Sequence, residues 1–179
     1  RSEALGTRWS RIDWDAHTIL LDTKVIEKTV DGKKAPVPVE LMKNKSSKRT
    51  MVIPDMAYEM LKEQKARQDI YRDMFGKSYN HEFDDYVCVN PMGTLLKPDY
   101  VTEHFRLLLK ENGMRHIRYH DLRHTVASLL INNGVPLMHV SDYLGHKDIQ
   151  VTANIYGHLD KTSKEISANV INSVLNTSV

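Results

Sequence analysis

The 179-residue chain is poor in most features that would place it outside the ordinary globular class. Its one cysteine, Cys88, excludes an internal disulfide framework. Cys88 sits in the apolar run Tyr86-Val87-Cys88-Val89, which reads as a buried strand, so the thiol is expected to pack rather than react. No apolar run approaches the roughly 20 residues of a membrane span, and no secretory leader is recognisable. Together with the lone thiol, these absences point to a cytoplasmic setting and no membrane partner. The chain also has no internal repeat and no low-complexity segment. A net charge of only +2 names no partner by itself.

What is present suffices for a folded domain. A hydrophobic fraction of 41% beside 27% charged residues, at this length, fits one domain over residues 1–179. The first residue is Arg1, and Ser2-Glu3-Ala4-Leu5-Gly6 reads as the end of a helix, so a fragment of a longer protein is expected. Charge is unevenly spread. Residues 24–49 hold eight cations against three anions, a local excess of +5 that suits a phosphate-facing patch or a solvated basic hairpin.

Residues 18–54 read as strands: 18–21, then 25–30, an Asp31-Gly32 turn, 37–42, and 50–53, forming a small antiparallel sheet joined by hairpins. Asp55 is placed to cap a helix in which Met56, Met60, Leu61, Ile70 and Met74 recur at helical spacing until Gly76, most simply as core. Residues 77–85 read as a loop and the stretch around Val87 as a short strand. Pro98 opens a helix carrying Val101, Phe105, Leu108 and Leu109 and stopping at Gly113. Helices are then expected over 120–133, from Pro136 to Leu144, after a cap at Asp148, and over 162–175. The last of these must dock, on its own domain or on a neighbouring protomer. The fold class is therefore α+β, mainly helical, with the small sheet near the N-terminus followed by a helical bundle.

Four of nine histidines, His120, His124, His139 and His146, lie within 27 residues. His120 and His124 share a helix face as two zinc ligands would, but Asp121 stands where a zinc protease has Glu, and Arg123 is a poor neighbour for a dication. No metal is expected. A guanidinium offers a planar fork suited to phosphate oxygens, and His120 with Arg123 at the start of a helix describes an oxyanion site. A surface salt bridge is the plain alternative for either residue taken singly.

The order Tyr119-His120-Asp121-Leu122-Arg123-His124, then Leu144-Gly145-His146, then Tyr156-Gly157-His158 closely resembles the tyrosine recombinase family, the phage integrase group. His146 follows His124 by 22 residues, and Tyr156 comes ten residues later. The stretch from Thr152 through Leu159 resembles integrases of phages and conjugative transposons. Upstream, Ser2-Glu3-Ala4-Leu5-Gly6 with Trp9 resembles the segment after the family's first catalytic arginine, and Lys45-Ser46-Ser47-Lys48-Arg49 to Pro54 its catalytic-lysine hairpin. That arginine lies two residues before the Ser in the family, whereas Arg1 lies one before Ser2, so the role is not carried over to Arg1.

The resemblance implies the recombinase catalytic fold and site-specific strand exchange on double-stranded DNA, with integration and excision of a mobile element in a bacterial cell, at its nucleoid. Tyr156 is then the nucleophile, a phenol with an ordinary pKa of about 10 that needs a proton acceptor or nearby positive charge. His120 accepts that proton or holds the phosphate, Arg123 and His146 bind the phosphate oxygens, and Lys45 protonates the departing 5′ oxygen, with Lys48 as its rival. Lys43, Lys48 and Arg49 are expected on DNA. No cofactor is required, because attack by tyrosine exchanges one phosphodiester for another. A tetramer on DNA is implied for the full-length protein.

His124 is expected to support its neighbours, His139 and His158 to pack or lie at the surface, Trp9 to anchor the core, and Glu3 to be a surface carboxylate rather than an orienting group. Three other functions stay open at this point: a type IB topoisomerase using the same residue set, a DNA-binding regulator that does not cut, and a metal-dependent nuclease.

Overall fold

The computed structural model describes residues 1–40, 48–146 and 148–157, with the backbone alone at 151 and 155–157. The chain divides into two compact units, Arg1–Asp121 and Leu122–Val179. The fold is α+β and mainly helical, with its strands gathered in the first unit.

The first unit opens with the short helix α1, Ser2–Leu5, which closes on Gly6. A side chain at Gly6 would place its Cβ 2.3 Å from the carbonyl oxygen of Thr23, so only glycine lets this turn lie against the next layer. Five strands follow: β1 (Ile12–Asp13), β2 (Thr18–Leu21), β3 (Thr23–Val30), β4 (Lys33–Glu40) and β5 (Arg49–Val52). They form two antiparallel sheets rather than the one expected. One has the order β1-β2-β5, and the other is the hairpin β3-β4. The Asp31-Gly32 turn falls as read, with φ of 49° and 75°, the positive values that a two-residue hairpin turn demands.

Strand β4 begins at Lys33, earlier than the expected 37, and runs through Pro36 and Pro38 opposite Glu27 and Val25. Proline lacks a donor for the ladder, which a strand tolerates at its edge. Those two residues therefore also protect the hairpin from pairing with another chain.

Helix α2 spans Asp55–Phe75. Its N-cap is Pro54, without a side-chain hydrogen bond, so Asp55 occupies the first turn instead of capping it. The expectation that the methionines form core is overturned: Met56 is 80% exposed, with Met60, Ile70 and Met74 also outward. The helix instead buries Ala57, Tyr58 and Leu61 against Trp9, Ile12, Ile53 and Val87. Its fully buried residue is polar. Gln68 accepts from the Trp9 indole N–H at 2.9 Å and donates to the carbonyls of Val87 at 2.8 Å and Tyr86 at 3.2 Å. Trp9 thus anchors the core as expected.

Residues 77–85 contain two short 3-10 turns, Gly76–Ser78 and His81–Phe83, around the buried Tyr79. The stretch around Val87 makes isolated bridges, Arg8 with Tyr86 and Val89 with Leu95, instead of a strand. Cys88 is half-buried there, and burial pushes its thiol up, away from the reactive thiolate. A second core joins Leu5, Val25, Val89 and Leu95. Helix α3, Pro98–Glu111, carries Pro98 in its first turn, where a missing N–H costs nothing. Leu109 is buried, but Leu108 is exposed.

Three helices are described from there: α4 (Asp121–Asn132), α5 (Leu137–Leu144) and α6 (Ile149–Gly157). Ala127, Val140 and Leu144 form the core of the second unit, with Leu130, Ile131, Val135 and Tyr143 packed around it. Asp148 caps α6 as expected, its carboxylate accepting from the backbone N–H of Gln150 at 2.9 Å. The helix expected over 162–175 lies outside the described residues, as does His158. Among the described residues, no helix is long and apolar enough to cross a membrane.

Candidate active site

In the second unit, three of the residue groups singled out in the sequence are tied by short bonds. Arg123 lies on the first turn of α4, and one end of its guanidinium donates to the carbonyl oxygen of Leu144 at 2.6 Å. That carbonyl belongs to the last residue of α5, where helix geometry leaves the acceptor without an intrahelical partner. The guanidinium therefore satisfies a helix end and is oriented by it.

Gly145 then takes the left-handed conformation, φ 69° and ψ 40°, which ends α5 and reverses the chain. The next backbone N–H, that of His146, returns to the carbonyl of Ser141 at 3.0 Å. The Leu-Gly-His element is thus a helix stop whose glycine is a conformational requirement and whose histidine is delivered at a fixed point. The His146 ring is held in turn: its Nδ1 lies 2.7 Å from the Oγ1 of Thr152, a fully buried residue on α6. One helical turn further along α6 is Tyr156, placed by its backbone alone.

In the first unit, His120 is exposed and immediately precedes α4. The start of that helix is organised by Asp121, which accepts from the backbone N–H of Arg118 at 3.0 Å and from its guanidinium at 2.9 Å. His124 is half-buried and His139 exposed. Lys43 and Lys45 lie outside the described residues, and Lys48 is exposed just before β5. Arg49, the first residue of β5, turns onto Glu3 of α1 at 3.0 Å, with its side chain only 12% exposed. Glu3 is half-buried in this ion pair, which corrects its reading as a surface carboxylate. Among the described residues, no group of three or more His, Cys, Asp or Glu is placed to hold a metal ion.

Sequence reasoning missed one residue and one contact here. Thr152 stood in the stretch that resembles integrases and four residues before Tyr156, a spacing that places both on one helix face, but neither signal gave it a role. The Glu3–Arg49 pair joins positions 46 residues apart, a contact that no local pattern reveals.

Comparison with known proteins follows the same lines. Over 97% of its length the chain is 29% identical to a tyrosine recombinase XerC-like protein of Caldanaerobacter subterraneus subsp. tengcongensis, covering 46% of that protein. It is 26% identical, again over 97%, to the ICEBs1 integrase of Bacillus subtilis, covering 45% of it. The chain therefore spans less than half the length of both relatives. Among solved structures, the Tn1549 transposon integrase in complex with circular intermediate DNA superposes with a TM-score of 0.74 at 18% identity, over 95% of this chain and 55% of that one. The XerA recombinase gives 0.60 at 20% identity, over 93% and 51%. Both share the fold. The sequence profile of the phage integrase family matches residues 1–163, and the chain belongs to that family.

Proposed function

We propose that this chain is the catalytic part of a site-specific DNA recombinase, which cleaves and rejoins strands through a 3′-phosphotyrosine at Tyr156. The observation that carries the reading is the run of contacts from Arg123 to Leu144, through the Gly145 turn to His146, and on to Thr152 of the helix bearing Tyr156. A structural arginine or histidine needs no such chain. A phosphate clamp beside a nucleophile does, because small misplacements of the reacting groups are costly.

In this reading the Tyr156 oxygen attacks a backbone phosphorus and the 5′ oxygen departs, protonated by Lys45. His120 takes the phenolic proton or holds the phosphate. Arg123 and His146 stabilise the charge that builds on the non-bridging oxygens. A second 5′ hydroxyl then attacks the phosphotyrosine and restores a phosphodiester, so neither cofactor nor metal enters the balance. Lys43, Lys48 and Arg49 are assigned to DNA binding, Arg49 while paired with Glu3. The substrate is double-stranded DNA at the ends of a mobile element. A tetramer of the full-length protein performs the exchange in the bacterial cytoplasm, at the nucleoid. Support for the mobile-element role comes from the likeness to the ICEBs1 and Tn1549 integrases.

A nicked suicide DNA substrate tests the proposal. A covalent adduct that survives denaturation, disappears in Tyr156→Phe and persists with a chelator is expected. No adduct, even from a chain extended upstream, would sink it. Crosslinking on a DNA site that yields only monomers would remove the tetramer.

A further inference from the structure

We propose that Thr152 is a positioning residue that holds the ring of His146 in the tautomer carrying its proton on Nε2. The geometry stands by itself, and its catalytic consequence rests on the reading of His146 as a phosphate ligand. Thr152 is fully buried, and its Oγ1 lies 2.7 Å from His146 Nδ1. A buried hydroxyl must give its hydrogen to an acceptor or carry the cost of leaving it unmet. Among the described residues, Nδ1 is the one hydrogen-bond partner of this hydroxyl. Nδ1 therefore accepts, and a neutral imidazole that accepts at Nδ1 bears its N–H at Nε2.

The consequence is chemical. A neutral His146 already offers an N–H from Nε2, so it can donate to a phosphate oxygen without first taking up a proton. The same helix, α6, carries Thr152 and Tyr156 one turn apart. The His146 backbone N–H is fixed on Ser141, and its ring is met by Thr152. The device ties the aim of the phosphate ligand to the helix that bears the nucleophile.

Nitrogen-15 NMR of histidine-labelled chain reads the tautomer directly, in the wild type, in Thr152→Ser, which keeps the hydroxyl, and in the near-isosteric Thr152→Val. Expected is Nε2–H in the wild type and Thr152→Ser, and a mixture or Nδ1–H in Thr152→Val. A wild-type ring protonated on Nδ1, or a Thr152→Val ring unchanged from wild type, overturns the proposal. Should Thr152→Val fail to fold, the wild-type and Thr152→Ser spectra decide. On a nicked suicide substrate at saturating DNA, Thr152→Val should form adduct about tenfold more slowly, with DNA affinity little changed and Thr152→Ser close to wild type. Equal cleavage rates in Thr152→Val and wild type overturn the catalytic consequence. If neither the wild type nor a chain extended upstream forms adduct while the tautomers behave as expected, the recombinase reading has failed and the positioning role of Thr152 stands.

Discussion

In the first unit, Asp22 is gripped by Arg8 at 2.8 and 2.9 Å and by Arg11 at 2.8 Å, while Gln68 spans Trp9 and Val87 across the core. In the second, the polar contacts described above join Arg123, His146 and Thr152, all within or beside the family motifs. The first set ties elements of its own unit to one another and includes none of the proposed site residues. The second spends its side chains on aiming groups that would meet a phosphate, around a small core of Ala127, Val140 and Leu144. Damage to the first set should therefore appear as lost stability, and damage to the second as lost rate.

The sharpest break between the two comes from Arg123→Lys. A lysine keeps the charge but loses the fork that reaches the Leu144 carbonyl and, in the proposed reading, a phosphate as well. Adduct formation is expected to fall by about a hundredfold to a thousandfold, some 2.7 to 4 kcal/mol of transition-state stabilisation. The melting temperature should move little. A large thermal loss with unchanged cleavage would reverse the assignment of roles.

Asp22→Asn is the counterpart in the first unit. Burial alone would push the Asp22 carboxyl up, but the hydrogen bonds from Arg8 and Thr23 and the charges of Arg8 and Arg11 outweigh it and hold the group below the usual carboxylate range. Removing the charge leaves two guanidinium groups facing a neutral amide, a loss of about 3 kcal/mol for a pair this enclosed. Because the folded pKa is depressed, the stabilisation is present above the unfolded value of about 3.9 and is lost as pH falls through the lower folded value. The wild type should lose thermal stability more steeply than Asp22→Asn as pH drops below about 4. Parallel acid-melting curves would remove the pair from the stability of this unit.

Local signals in the sequence reached the helices and the motif elements well. Pro98 at the start of α3, the Asp31-Gly32 turn, the Asp148 cap and the glycine stops each depend on a residue and its immediate neighbours, and each stands as read. Sheet pairing was not legible, because β2 pairs with β5 across 30 residues and leaves β3 to its own hairpin. The buried face of α2 was misread for a related reason. Hydropathy favoured methionines, whereas the core selected a glutamine able to meet an indole N–H and two carbonyls at once. The motif residues were legible by type and order, and Thr152 was not, since its role depends on a side-chain contact between α6 and the turn after α5.

Gln68→Met tests that exchange at an intermediate size. The volume is nearly kept, but the Trp9 N–H loses its partner and the Val87 carbonyl keeps only the longer bond from Gln64 at 3.3 Å. About 2 kcal/mol of stability should be lost, within the usual range for stranding buried polar groups. Hydrogen exchange should report faster opening around Trp9 and Val87, and an unchanged melting curve would show that the core does not depend on the amide.

The smallest effect belongs to the outer ridge of α2. Met56 and Met60 are 80% and 63% exposed, so replacing both with glutamine removes little buried apolar area and keeps residues of similar helix propensity. The double variant should melt within about 0.5 kcal/mol of the wild type, as surface substitutions usually do. A loss several times larger would mean that the ridge is covered in solution, and α2 would then have a second packing face, with Gln68 on one side and the methionines on the other.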